Sequence, residues 1–150
     1  MLMDFKHSLP VQIRFSDVDQ FGHMNNSVYF SLYDLAKTTY LRDVMGGEEL
    51  NWQDVAMVVA NVNANFYAPV FFNDDLVIQT TTVHLGHKSF TLFQRAVNLA
   101  KQEVKCECRT VMVGYNMRTM QAELIPEKWK QSICAFEKKT EEELSGKEEK

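Results

Sequence analysis

The sequence predicts an α+β domain in which an antiparallel sheet curls around one long helix. Two observations support this class. The stretch from about Ser27 to Met45 has helical periodicity, with apolar residues around most of its circumference. Most of the remaining chain reads as long strands, and the connections between them are too short for parallel crossovers, which need a dozen residues or more.

The predicted helix carries two neighbouring apolar stripes. The first consists of Val28, Leu32, Leu35 and Thr39. The second consists of Tyr29, Tyr33, Ala36, Tyr40 and Val44. Because only a narrow polar seam separates them on the far side, we expect other elements to wrap this helix.

The strands are predicted from alternation and from β-branched residues. A short strand, Leu9 to Phe15, precedes a polar loop from Ser16 to Asn25. Four long strands follow the helix, at about Val55 to Tyr67, Leu76 to Leu85, Ser89 to Leu99 and Val104 to Tyr115. A short closing helix is expected after Pro126.

Composition narrows the range of functions. A chain of 150 residues, 45% hydrophobic and 24% charged, is typical of one globular domain. A formal net charge of -4 argues against a nucleic-acid or anionic-membrane partner. No apolar run is long enough to cross a bilayer, and the N-terminus lacks the features of a secretory signal, so we expect a cytoplasmic protein.

The domain is expected to cover residues 1–136, followed by a charged C-terminal tail, residues 137–150, that forms a solvated extension. The cysteines, Cys106, Cys108 and Cys134, lack the spacing of zinc ligands, so no metal site is predicted. Cys106 and Cys108 are interpreted as packed thiols.

The segment from Arg14 to Tyr29, RFSDVDQFGHMNNSVY, resembles the signature of the 4-hydroxybenzoyl-CoA thioesterase family, in its acyl-CoA thioesterase branch. The resemblance extends from about Val11 to Trp129. Further matches are Phe66-Tyr67-Ala68-Pro69, Asp74-Asp75-Leu76, Gly86-x-Lys88-Ser89-Phe90 and Ile125-Pro126.

This resemblance implies the hot-dog fold, a long central helix wrapped by a curved antiparallel sheet. It implies homodimers that often pair into homotetramers, with the site at the dimer interface. The implied activity is hydrolysis of a fatty-acyl-CoA or aryl-CoA, so that CoA enters as part of the substrate and no separate cofactor is expected. His87, Lys88 and Ser89 would approach the pantetheine arm, although an exposed turn explains them equally well.

In that family the second aspartate of the pair is catalytic, which here is Asp19. Thioester hydrolysis needs a base or nucleophile, and donors for the oxygen that becomes negative. Asn26 suits an N-cap, and the amides from Asn26 to Tyr29 would supply donors at the positive end of the helix dipole. The alternative for Asp19 is a turn residue that bonds its own backbone.

The other loop residues have competing interpretations. Asp17 is expected to stabilise the loop or pair with Arg14 rather than to catalyse. His23 either binds substrate or Asp19, or packs as a loop histidine. Gly22 is expected to adopt a conformation that a Cβ would oppose, and Asn25 either positions water or caps the helix.

Tyr29 either lines an acyl channel or belongs to the core. Two other functions stay open at this point: a thioesterase for acyl carrier protein, and a hot-dog scaffold that binds acyl thioesters without hydrolysing them. An enoyl-CoA hydratase is disfavoured because the sequence shows no matching Asp/His pair.

Overall fold

The computed structural model describes residues 4–47 and 56–146. In chain order the elements are β1 (His7–Pro10), a 3-10 helix (Phe15–Asp17), α1 (Asn26–Val44), β2 (Ala56–Phe66), β3 (Leu76–Leu85), β4 (Ser89–Asn98), β5 (Glu103–Asn116), β6 (Gln121–Ala122), α2 (Glu127–Glu137) and α3 (Glu141–Ser145). The strands form one sheet in the order β1-β3-β4-β5-β2, and β6 pairs with β5. Val55, the first residue of the predicted second strand, lies outside the described residues.

The first strand is displaced from its predicted position. It covers His7–Pro10 rather than Leu9 to Phe15, and pairs with β3 in antiparallel register, Leu9 opposite Ile78. The last backbone bond to the sheet is from the Val11 N–H to the Leu76 carbonyl, at 3.1 Å, whereas the Arg14 N–H, inside the predicted strand, donates to the Asp17 carboxylate at 2.8 Å. A side chain that bonds nearby backbone in this way competes with sheet pairing.

By contact density the chain divides into two compact units. The first unit contains residues 4–40, 64–80 and 94–108. Its core joins the second stripe of α1 to three strands through Tyr29, Tyr33, Ala36, Leu76, Ile78, Ala96, Cys106 and Cys108. Both cysteines are buried in this core, as predicted for packed thiols.

One polar side chain in this core shows how the helix is held against the sheet. Gln94 is 1% exposed, and its Nε2 donates to the Tyr33 carbonyl and to Thr80 Oγ1, each at 3.1 Å. A buried amide left without partners would be destabilising, so these bonds favour one placement of α1 on the strands.

The sequence predicts that other elements cover the first stripe of α1, but the structure leaves part of this stripe exposed. Val28, Leu32 and Leu35 line an open cavity of about 440 Å³, and Leu35 is 54% exposed. Among the described residues of the first unit, the second stripe is therefore buried against the strands, whereas the first stripe is only partly covered.

The second unit contains residues 41–47, 56–63, 81–93 and 109–146. Here α2 lies against β3: the buried Glu137 carboxylate accepts from Thr81 Oγ1 at 2.8 Å and from the Thr82 N–H at 3.3 Å. Ile133 of α2 and Leu144 of α3 are also buried.

These contacts correct the expectation of a solvated tail after residue 136. Residues 137–146 include the end of α2 and a capped helix, α3, in which Thr140 accepts from the Glu143 N–H at 3.1 Å. The division of the chain at residue 136 stays a prediction.

A close backbone approach joins β5 to the segment after β6. Gly114 donates its N–H to the Lys88 carbonyl at 2.9 Å and accepts from the Glu123 N–H at 2.8 Å. A Cβ at Gly114 would lie 2.7 Å from the Glu123 carbonyl oxygen, so glycine is required there.

Candidate active site

The loop before α1 begins with a turn built on Asp17. Its carboxylate accepts from the Arg14 N–H at 2.8 Å and from Arg14 Nη2 at 3.2 Å, and the residue is 3% exposed. Burial acts to raise the pKa of this carboxyl, but the Arg14 hydrogen bonds and charge outweigh burial, so that the pKa lies below its usual value. The predicted pairing of Asp17 with Arg14 is confirmed.

The backbone of the same loop closes on itself. The Asp17 carbonyl accepts from the Asn25 N–H at 3.0 Å, and Val18 forms an isolated antiparallel bridge with Met24. Met24, which is 1% exposed, donates its N–H to the Val70 carbonyl at 2.7 Å. The loop is therefore anchored to the start of α1 and to the segment before β3.

A second turn holds Asp19. Its Oδ1 accepts from the Phe21 N–H at 2.9 Å, its carbonyl accepts from the Gly22 N–H at 3.0 Å, and its N–H donates to the His23 carbonyl at 3.1 Å. Among the described residues, no group donates a hydrogen bond to the other carboxylate oxygen, Oδ2. Asp19 thus bonds its own backbone, as the alternative interpretation predicted, but keeps one oxygen available.

Gly22 completes this turn with a φ of +90°. Only glycine adopts this conformation at little cost, which confirms the conformation predicted for it. The His23 ring is half-buried and stacks on Phe21, with ring centroids 6.4 Å apart. The structure therefore packs His23 against the loop, and its role toward substrate stays a prediction.

The helix begins one residue earlier than expected. Asn25, not Asn26, is the N-cap, because its Oδ1 accepts from the Ser27 N–H at 2.9 Å and from Ser27 Oγ at 2.8 Å. The Val28 N–H donates to the Asn25 carbonyl at 3.0 Å. In the described part of the chain, these bonds leave the Asn26 N–H, on the first helical residue, without an acceptor.

Tyr29 belongs to the core, which is one of the two roles predicted for it, and its contact with an acyl group stays a prediction. It is 2% exposed, and its ring packs at 5.1 Å from Phe66 and at 6.4 Å from Tyr33. Burial raises the pKa of its hydroxyl, which therefore stays protonated. Its side chain orients α1 on the sheet.

A cavity of about 530 Å³ opens beside the Asp19 turn. Its lining consists of Phe15, Val18, Asp19, Gln20 and Phe72. Asp19 is the one ionisable group among them, and three of the other four side chains are apolar. A carboxylate next to apolar walls suits a substrate that pairs a reactive polar group with a hydrophobic one.

Two of the walls come from residues that the sequence analysis did not select. Phe15 is 88% exposed and Phe72 is 47% exposed, although large apolar side chains generally become buried. Phe72 lies in the connection that joins the predicted motif Phe66-Tyr67-Ala68-Pro69 to Asp74-Asp75-Leu76, and this motif was the available signal.

The predicted pantetheine residues occupy the turn between β3 and β4, in the second unit. The Gly86 N–H donates to the Ser89 carbonyl at 2.7 Å, and the His87 carbonyl accepts from the Ile125 N–H at 2.8 Å. The side chains of His87 and Lys88 are exposed and that of Ser89 is half-buried. The turn is well held, and its contact with a substrate stays a prediction.

Comparisons with known proteins agree on the class. The model of the thioesterase-like superfamily matches residues 13–133, so the chain belongs to this superfamily. It is 29% identical over 118 residues to the acyl-CoA thioester hydrolase YbgC of Escherichia coli O6:H1, which covers 78% of this chain and 87% of that protein.

Two solved structures share the fold. The PA5185 protein of Pseudomonas aeruginosa has a TM-score of 0.78 and 26% identity, and covers 89% of this chain and 92% of its own. A thioesterase from Thermus thermophilus, complexed with coenzyme A and Zn, has a TM-score of 0.79 and 24% identity. This match covers 91% of the present chain and 97% of the thioesterase chain. The predicted hot-dog fold and the predicted enzyme class, thioester hydrolase, are confirmed.

No helix in the described ranges 4–47 and 56–146 is long and apolar enough to span a membrane.

Proposed function

We propose that the protein hydrolyses a fatty-acyl-CoA or aryl-CoA to the free acid and CoA, with Asp19 as the catalytic carboxylate. One observation carries this proposal. Of the two aspartates in the loop, Asp17 has both carboxylate oxygens bonded by Arg14, whereas Asp19 lines the cavity with Oδ2 available. Asp19 is thus the acid that can act on a substrate.

The relatives support acyl-CoA as the substrate class. YbgC is named an acyl-CoA thioester hydrolase, and the Thermus thermophilus thioesterase holds coenzyme A. The apolar cavity walls fit an acyl or aryl group.

The start of α1 supplies the donor for the thioester oxygen. Ser27 and Val28 already donate their N–H groups to Asn25, so Asn26 carries the available amide. The helix dipole adds positive potential at the same end. In this arrangement Asp19 acts as general base or nucleophile while the Asn26 N–H stabilises the developing oxyanion.

The working enzyme is proposed to be a homodimer, with dimers pairing into a tetramer. The edge strand β2 supports this, because Val59, Val62 and Phe66 on it are 45%, 44% and 41% exposed. An unpaired apolar edge is a natural contact for another chain. In the dimer, the pantetheine arm would enter between subunits and meet His87, Lys88 and Ser89.

The decisive test measures thiol release from a series of acyl-CoA and aryl-CoA thioesters, with native protein and Asp19→Asn. Asparagine retains an acceptor for the Phe21 N–H but is not a base. We expect kcat to fall by about 10² to 10⁴. Asp34→Asn is the matched control, because Asp34 is exposed on α1 and pairs only with Lys37 in the described contacts.

Undiminished release by Asp19→Asn would remove Asp19 from the mechanism. Tight thioester binding without release by the native protein would instead favour a non-catalytic scaffold. Faster hydrolysis of an acyl group carried by acyl carrier protein than of the same group on CoA would make the carrier protein the substrate. A solution mass of one chain would contradict the two-subunit site.

A further inference from the structure

We infer that Lys105 is a positioning residue for the Asp19 cavity, and that it sets which acyl groups the enzyme prefers. It does so by fastening residues 67–74, which carry the cavity wall Phe72. The inference rests on the proposed thioesterase function and extends it to a residue that does not touch the cavity.

Lys105 places a charge inside the first unit. Its side chain is 4% exposed, on strand β5. The ammonium donates to the Pro69 carbonyl at 2.9 Å and pairs with Glu103. A carboxylate oxygen of Asp74 lies 3.5 Å away. A buried charge persists only where such partners compensate it, so Lys105 constrains the groups around it.

The partners of Lys105 lie near both ends of one segment. The Lys105 carbonyl accepts from the N–H groups of Tyr67, at 2.9 Å, and Ala68, at 3.2 Å. Toward the other end, Asp74 Oδ2, the oxygen nearest the ammonium, accepts from the Phe71 N–H at 2.9 Å. The Lys105 main chain therefore holds the start of residues 67–74, and its ammonium group holds Pro69 and lies beside Asp74 further along.

This segment makes two contacts with the site. The Val70 carbonyl accepts from the Met24 N–H at 2.7 Å, and both residues are fully buried. Phe72, two residues further, lines the cavity together with Asp19. A shift of the segment would move the cavity wall and loosen the loop next to the Asn25 cap.

The test compares Lys105→Met with Lys130→Met. Methionine keeps an apolar stem and removes the charge. Lys130 is a matched control because its side chain is 10% exposed and forms an ion pair with Glu141 at 3.3 Å. It lies on α2 and does not contact residues 67–74 in the described contacts. Both variants are expected to lose thermal stability.

The decisive readout is kcat/KM across acyl-CoA chain lengths, measured well below both melting temperatures. Lys105→Met should lower kcat/KM at least tenfold for the best native substrate and shift the preferred length, whereas Lys130→Met should keep the native profile. Identical profiles for both variants would overturn the inference.

Hydrogen exchange provides a measurement that does not depend on turnover. In Lys105→Met, the Met24 and Phe71 amides should exchange faster than in Lys130→Met, and equal exchange would overturn the inference. Absence of thiol release by native protein would instead contradict the proposed function. Hydrogen exchange would still test whether Lys105 holds residues 67–74 and the loop at Met24. If Lys105→Met does not fold, Phe72→Ala replaces it: an unchanged length preference would overturn the inference.

Discussion

Two turns of the loop before α1 each hold an aspartate, and their environments differ. In the first turn, Asp17 is 3% exposed and receives two hydrogen bonds from Arg14. In the second, Asp19 is half-buried and receives one, from the Phe21 N–H. Two positions apart, one carboxylate stabilises the chain and the other is available for chemistry. Hydrogen-bond satisfaction, more than residue type, distinguishes the two.

Breaking the first turn should have the largest effect on folding. Asp17→Ala leaves the Arg14 N–H without its acceptor, and we expect the free energy of unfolding to fall by about 1–3 kcal/mol in urea denaturation. Asp17→Asn retains one acceptor and should lose less. Native stability in Asp17→Ala would show that the first turn is not needed to hold the loop.

Breaking the second turn should lower the free energy of unfolding less than breaking the first turn does, and should lower the activity more. In Gly22→Ala the new residue must adopt a φ of +90°, which costs about 1–2 kcal/mol, and no neighbouring atom lies within 4 Å of the added Cβ. The Asp19 carboxylate should be displaced, so kcat should fall together with stability. Gly146→Ala is the control, because no atom lies closer than 3.9 Å and φ is -64°. Full thiol-release activity in Gly22→Ala would separate the turn from catalysis.

The pH dependence of stability should give the smallest effect. Burial acts to raise the folded-state pKa of Asp17, but the Arg14 hydrogen bonds and charge outweigh it, so this pKa is lowered. Its contribution is therefore present above the unfolded pKa, about 3.9, and is lost as pH falls through the folded pKa. The stability difference between native protein and Asp17→Ala should narrow as pH falls below about 4. A constant difference would contradict an ionised Asp17.

Much of the sheet could be predicted because its signals are local. The bounds of β3 agree with the prediction, and β4 differs by one residue, since β-branched and alternating residues define both. The end of the predicted first strand was wrong because the sequence does not show that the Arg14 N–H bonds the Asp17 side chain instead of a neighbouring strand. The last helix, α3, was missed because a single apolar residue, Leu144, gives no periodic signal.

For the site as well, contacts between residues near in sequence could be predicted, and contacts between distant residues could not. The Asp17–Arg14 pair and the Gly22 conformation involve neighbours in sequence and were predicted. The sequence left the cap open between Asn25 and Asn26 because two adjacent asparagines suit the position equally, and the structure places it at Asn25. Phe72 and Lys105 were not identified, since Lys105 meets Pro69 across 36 positions and pattern reasoning does not reach such contacts.

Gly114 limits how the molecule can be redesigned. Its N–H donates to the Lys88 carbonyl while its α-carbon lies against the Glu123 backbone, so any larger residue would push β5 away from the segment after β6. A directed-evolution library that aims to retune recognition through the neighbouring Lys88 turn should therefore vary the exposed side chains and leave this position unmutated.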